Sequence, residues 1–262
     1  MYLAGEIDKL VQRGFSEERA QTIVLMREAS ILLFDAFPDV LVLVGGANLV
    51  LFQEGVRHSA DLDFFPVSRE LPEIAGLREV LLNGLKPLGE LLKLNPLKLE
   101  TIHADAGEAK LMLSSNSGNV LFTVDISRIG SVLQSEVEEI RLEATGIDRS
   151  ANIKFVTRDQ MLLHKAEAFL LRKSVKARDA YDAMDLMQRG ATLTGNLKSH
   201  LEDILSGEFD SERLHERIDQ VDQRRCEAEL RDRLPGDVYK GLKKVDFQPV
   251  RDALLELFHE WL

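Results

Sequence analysis

The sequence predicts an α+β protein, a mixed β-sheet flanked by helices over residues 1–150 followed by a helical lobe over residues 151–262. Three observations carry this expectation. An apolar run, Val40 to Val44, has the length of a buried strand and is stopped by Gly45-Gly46. Three further strand-like stretches between residues 97 and 126 are separated by turn residues, as in a meander. Beyond Thr157 the apolar spacing is helical.

Taken in order, residues 4–35 read as helices. Ser16 stands where an N-cap is needed, and Glu17 and Glu18 put negative charge in the first turn, where the helix dipole favours it. Arg19 at the third position leaves no reciprocal capping box. Apolar positions run from Ala20, Ile23, Val24 and Met26 to Phe37, and Pro38-Asp39 ends the helix. After the Val40–Val44 strand, Asn48–Glu54 is amphipathic. A second short strand then carries Asp61 and Asp63 and stops at Pro66. Leu71–Leu85 has helical spacing, with Ile74, Leu77, Val80, Leu81 and Leu85 as its apolar stripe. Strands follow at Leu97–His103, Ala109–Leu113 and Val120–Ile126, with turns at Gly107 and Asn116-Ser117-Gly118-Asn119. Residues 130–152 are mixed and match no template. Thr157 is the N-cap of a helix through Met161–Lys173. Ala177–Arg189 follows with Gly190 at its C-cap, then Gly195–Leu205, Ser211–Arg233 and Gln248–Leu262. No repeat or long linker separates the halves, so two packed lobes with a cleft are expected.

A chain of 262 residues is long enough for one large domain or two smaller ones. With 45% apolar and 29% charged residues it is an ordinary globular composition. No apolar run approaches a membrane span and no basic-then-apolar leader opens the chain, so no membrane partner is expected. The one cysteine, Cys226, excludes an intrachain disulfide framework and fits a reducing cytoplasm as a passive thiol. A net charge of −11 argues against broad nucleic-acid binding, because phosphate contacts need Lys and Arg. It leaves room for a local basic groove and a transient RNA substrate. The charged stretch from Ser211 to Arg233 mixes signs, as a solvated helix or partner surface does.

The chemistry concentrates around Gly45-Gly46 and Asp61-x-Asp63. Residues i and i+2 of a strand share a face, roughly 6–7 Å apart, so the two carboxylates sit side by side. Like charges so placed repel unless something positive lies between them, and a divalent cation is the usual solution. Two glycines at a helix entrance let the backbone approach an anion and aim N–H groups at it. Together these are the equipment of a nucleotidyl or phosphoryl transferase, although a plain tight turn and two solvated acids would give the same letters. Asp125, set between Val124 and Ile126, is a candidate third metal carboxylate. The alternative is an edge-strand acid paired with Arg128.

Gly45-Gly46-Ala47-Asn48-Leu49 with Arg57-x-Ser59-x-Asp61-x-Asp63-Phe64 resembles the signature of the nucleotidyltransferase-fold toxins of the AbiEii/AbiGii group. A second segment is similar too: Leu162-Leu163-His164-Lys165 through Arg172, then Arg178-Asp179-Ala180-Tyr181-Asp182. The likeness covers about residues 40–190. It implies a nucleotidyltransferase-like sheet domain and a helical domain completing a nucleotide cleft. It also implies Mg²⁺ (or Mn²⁺) on Asp61, Asp63 and Asp125, and transfer of a nucleoside monophosphate from an NTP to an acceptor hydroxyl. Asp61, Asp63, Asp125 and Lys165 would be catalytic. Gly45, Gly46, Asn48, Arg57, Ser59, Lys165, Arg172, Asp179 and Asp182 would bind nucleotide. An RNA end, tRNA included, would be the acceptor, and an antitoxin protein or antitoxin gene product the partner.

The chain departs from the family pattern at Ala47, where a Ser or Thr hydroxyl is common. That contact must then come from backbone N–H groups, Asn48 or Ser59, and Ser59, on the face of Asp61, could supply the hydroxyl. Supported by Ala47 alone, a catalytically silent binding module is the alternative. Transfer to a small molecule or protein is another. For Lys165, Arg172, Asp179 and Asp182 an ion-paired seam between two helices remains the structural alternative.

Overall fold

A computed structural model describes residues 2–67, 71–105, 107–128, 132–145 and 149–262. The chain divides into two compact units, Met1–Val156 and Thr157–Leu262.

The first unit opens with α1 (Tyr2–Gln12) and α2 (Glu17–Ala36). Ser16 caps α2 as expected, its hydroxyl accepting from the Arg19 N–H at 3.3 Å. Buried residues surround much of α2, among them Leu25, Ile31, Leu33 and Phe34, as in a helix immersed in a core. β1 (Leu41–Val44) leads into α3 (Gly45–Phe52), and β2 (Asp61–Pro66) returns antiparallel to β1. α3 begins at the glycine pair, which the sequence placed at a helix entrance. Next come α4 (Ile74–Leu91) and the meander β3 (Lys98–Ala104), β4 (Ala109–Ser114) and β5 (Val120–Ile126).

Of the stretch 130–152, residues 130, 131 and 146–148 lie outside the described residues. The rest, with no secondary-structure assignment expected from sequence, holds a hairpin of β6 (Val137–Glu143) and β7 (Ser150–Val156). β7 buries Ala151, Ile153 and Phe155 in alternation, whereas β6 is a largely exposed edge strand with charged side chains.

Among the described residues seven strands form one sheet in the order β3-β4-β5-β2-β1-β7-β6. Two pairings are parallel, β2 with β5 and β1 with β7, and the others antiparallel, so the sheet is mixed as predicted. One apolar face packs on α2 and α4 in a core that includes Leu33, Leu43, Leu62, Phe64, Leu85, Phe122 and Val124. Glu28, almost fully buried on α2, is matched by the Thr145 N–H and hydroxyl and by Arg27, which satisfies its charge.

The second unit is helical: α5 (Arg158–Leu171), α6 (Ala177–Gln188), α7 (Gly195–Glu208), α8 (Ser211–Asp219), α9 (Gln223–Leu230), α10 (Gly236–Lys244) and α11 (Gln248–Leu257). Thr157 caps α5 from Gln160, and Gly190 takes φ +87 just past α6, the left-handed conformation expected of a residue there. The single helix expected over Ser211–Arg233 is two. Asp210 and Asp222 each accept a backbone N–H three residues on, so the second aspartate starts a new helix instead of continuing the old one. α10 was not foreseen. The last helix docks into the core through Val250, Leu254 and Phe258, with Phe258 stacked on Phe169. Cys226 is buried, and burial pushes its thiol up to about 12, so it stays protonated at neutral pH. Among the described residues no helix is long and apolar enough to cross a membrane.

Candidate active site

β2 alternates strictly. Leu62 and Phe64 enter the core, which leaves Asp61 and Asp63 on the opposite, half-exposed face. Its neighbour β5 buries Phe122, Val124 and Ile126 and turns Thr123 and Asp125 to that same second face. The parallel register sets Asp61 beside Thr123 and Asp63 beside Asp125. On the far side of β5, Lys110 of β4 is the register partner of Asp125. Lys110, Asp125 and Asp63 therefore form one row across three strands.

The row is hydrogen-bonded. Lys110 Nζ donates to Asp125 Oδ2 at 3.0 Å, and Thr123 Oγ1 donates to Asp61 Oδ1 at 2.9 Å. The hydrogen bond to Asp125, reinforced by the charges of Asp125, Asp61 and Asp63 and opposed by partial burial, holds the Lys110 ammonium above the ordinary lysine value. Sequence reading offered Arg128 as the ion-pair alternative for Asp125 and placed it on an edge strand. In the structure β5 is interior and the partner is Lys110.

Among the described residues no three His, Cys, Asp or Glu side chains are gathered into a finished metal cluster. Asp61, Asp63 and Asp125 nevertheless share one sheet face and carry oxygen donors of the type a hard divalent cation takes.

The glycines close the site on its β1 side. Gly45 has φ +69, and a Cβ there would lie 2.0 Å from Asp63 Oδ2. At Gly46 a Cβ would meet Ser59 Oγ at 2.4 Å and Arg57 Nη2 at 3.2 Å. Both glycines are thus required by the closeness of the Asp63 and Ser59 side chains, in addition to any role towards an anion. Ser59 does bring a hydroxyl beside Gly46, and Ala47 is fully buried, so a hydroxyl at 47 would not reach solvent. Arg57, weighed from sequence as a surface residue or a phosphate ligand, is buried next to Gly46 and donates to His58 O at 3.1 Å. Asn48 is fully buried and donates its side-chain amide to Val156 O at 2.9 Å, fastening α3 to the end of β7.

Within the helical unit, the predicted Lys165, Arg172, Asp179 and Asp182 do come together. Lys165 Nζ lies 2.8 Å from Asp182 Oδ2 and 3.7 Å from Asp179 Oδ1, and Arg172 Nη1 is 2.5 Å from Asp179 Oδ2. Both aspartates and Lys165 are buried. This is an ion-paired seam between α5 and α6, the structural alternative weighed from sequence. Its loss should be costly: Asp182→Ala leaves the buried Lys165 ammonium with only the more distant Asp179, and chemical denaturation should register a loss of about 3 kcal/mol.

Lys110 and Thr123 were missed from sequence. Their signal is the strand register, which places them against Asp125 and Asp61.

Comparison with known structures returns the same fold. A nucleotidyltransferase crystal structure from Helicobacter pylori aligns over 93% of this chain and 99% of its own at 19% identity and a TM-score of 0.57. JHP933 from Helicobacter pylori aligns over 94% and 97% at 19% identity and a TM-score of 0.54. No curated protein matches by sequence. The family model for the nucleotidyl transferase AbiEii toxin of type IV toxin–antitoxin systems matches residues 29–260, which takes in the acid row, both glycines and the Lys165 seam. The chain belongs to the AbiEii nucleotidyltransferase toxin family.

Proposed function

We propose that this chain transfers a nucleoside monophosphate from an NTP to an acceptor hydroxyl in a Mg²⁺- or Mn²⁺-dependent reaction. We further propose that it does so in the cytoplasm as the toxin of a pair with an antitoxin, its acceptor an RNA end such as that of a tRNA. The observation that carries this reading is the acid row: Asp61, Asp63 and Asp125 on one sheet face, with Gly45 packed against Asp63.

In the reaction the acceptor oxygen bonds to the α-phosphorus, the bond from that phosphorus to the β-phosphate bridging oxygen breaks, and pyrophosphate leaves. The hydroxyl proton goes to Asp125 or directly to water. Asp61, Asp63 and Asp125 are the residues that would hold a divalent cation, and such a cation would offset the charge of the triphosphate. The glycine turn allows a phosphate close to the backbone at the start of α3, with Arg57 and Ser59 as neighbouring donors. Little covalent work falls to the protein; positioning and charge dominate. The reading also gives Lys165 a part in nucleotide binding, positioned by Asp179 and Asp182. Lys165→Met should then raise KM for the NTP, an effect that a purely structural residue would not produce.

The test incubates the protein with each labelled NTP, Mg²⁺ and total RNA, beside Asp61→Asn. The expected result is labelled RNA, released pyrophosphate and a signal lower by at least about 100-fold in the variant. Equal labelling by both proteins overturns the assignment. Label in the protein or a small molecule alone would favour the second reading, whose motivation is the net charge of −11. The silent-module reading rests on Ala47 alone, and the Ser59 hydroxyl beside Gly46 supports the transferase reading over it.

A further inference from the structure

Lys110 stands at the end of the acid row and has no part in the proposed reaction. It stands on β4, in register with Asp125, with Asp63 on the next strand beyond. Its ammonium is 3.0 Å from Asp125 Oδ2, a carboxylate oxygen that a second metal ion would need for itself. Lys110 is the second residue of β4, a strand paired on both sides, so its backbone position is set by the sheet. Asp125 is interior too, between β4 and β2. Two-ion sites place their metals about 3.5–4 Å apart and rely on carboxylates that touch both. Here the carboxylate at one end of the row is already engaged by a monovalent cation. A divalent ion brought to Asp125 would meet that ammonium at close range and be repelled.

We propose that Lys110 is a built-in replacement for the second metal ion, so that the site takes one divalent cation, on Asp61 and Asp63, with the Lys110 ammonium standing at Asp125. The proposal rests on the nucleotidyltransferase reading above and narrows it to a one-metal, one-lysine site. Lys110 then offsets charge at the Asp125 end of the row, where the acceptor hydroxyl would lose its proton. The site would accordingly depend on divalent-ion concentration to first order.

The test counts Mn²⁺ bound to the full chain by electron paramagnetic resonance, with the ion alone and with inorganic tripolyphosphate, which supplies triphosphate charge without a base. Wild type and Lys110→Arg should each bind one Mn²⁺ at the protein site with an isolated-ion signal. Asp61→Asn should weaken that binding at least tenfold. Lys110→Met should admit a second ion and give the altered signal of two spin-coupled ions. A folded Lys110→Met protein that still holds one ion overturns the proposal. Two coupled ions in the wild type overturn it as well and leave the transferase reading standing. Absence of Mn²⁺ from every variant overturns both the proposal and the metal dependence on which it rests.

Discussion

Gly45→Ala is expected to destabilise the sheet unit by about 2–4 kcal/mol, from left-handed backbone strain plus an overpacked contact. It should also reduce nucleotide transfer by about 100-fold or more, since small misplacements of catalytic groups have effects of that size. The residue holds φ +69, and the new methyl would stand 2.0 Å from Asp63 Oδ2, 2.7 Å from its Cγ and 2.8 Å from its Cβ. A flexible tip could swing aside, but Asp63 Cβ is fixed by a strand whose register pairs Val44 with Asp63. The carboxylate must therefore leave its row beside Asp125. Thermal melts and NTP turnover measure the two effects. A cycle with Asp63→Gly separates their causes: if the clash is with Asp63, Gly45→Ala should cost measurably less in that background. Equal cost in both backgrounds would place the damage in the backbone alone.

The second large effect is Asp63→Asn. Transfer should fall by about 10³-fold, roughly 4 kcal/mol of transition-state stabilisation. The fold should change little. Asp63 faces the like charge of Asp125 across a parallel pair, but its charge also favours the Lys110 ammonium. The isosteric amide removes one charge while keeping the shape beside Gly45. The melting temperature should stay within about 3 °C of wild type. A protein that loses both activity and stability would show that Asp63 serves the fold, and the acid row would lose its functional reading.

These residues also show what the letters carried and what they did not. Asp61-x-Asp63 was legible because strand alternation alone fixes a shared face. Asp125 was legible as an acid among apolar neighbours. Lys110 was not, because its position depends on the β4–β5 register, which shifts at a bulge between Leu113 and Ser114. Ser114 pairs with Val120, so four uninterrupted steps back and on would set Lys110 against Val124, and the bulge moves it to Asp125. β7 had its alternation in plain view at Ala151, Ile153 and Phe155, but β6 hid the hairpin. As an exposed edge strand it carries Glu138, Glu139, Arg141 and Glu143 and no buried face. The bond from Asn48 to Val156 was not legible, because its partner lies too far along the chain to be seen locally. The break between α8 and α9 had its mark in Asp222, which local charge pairing obscured.

The parallel pairings also set the order of events as the chain folds. β1 and β2 can meet early as near neighbours, but β2 waits for β5, and β1 for β7, across long intervening segments. Contacts of such sequence separation form slowly and late. A nascent chain that has exposed Asp61 and Asp63 but not yet Asp125 and Lys110 carries two unopposed acids and no assembled row. The acid row therefore cannot be complete until strands far apart in the chain, β2 and β5, have both been made and paired.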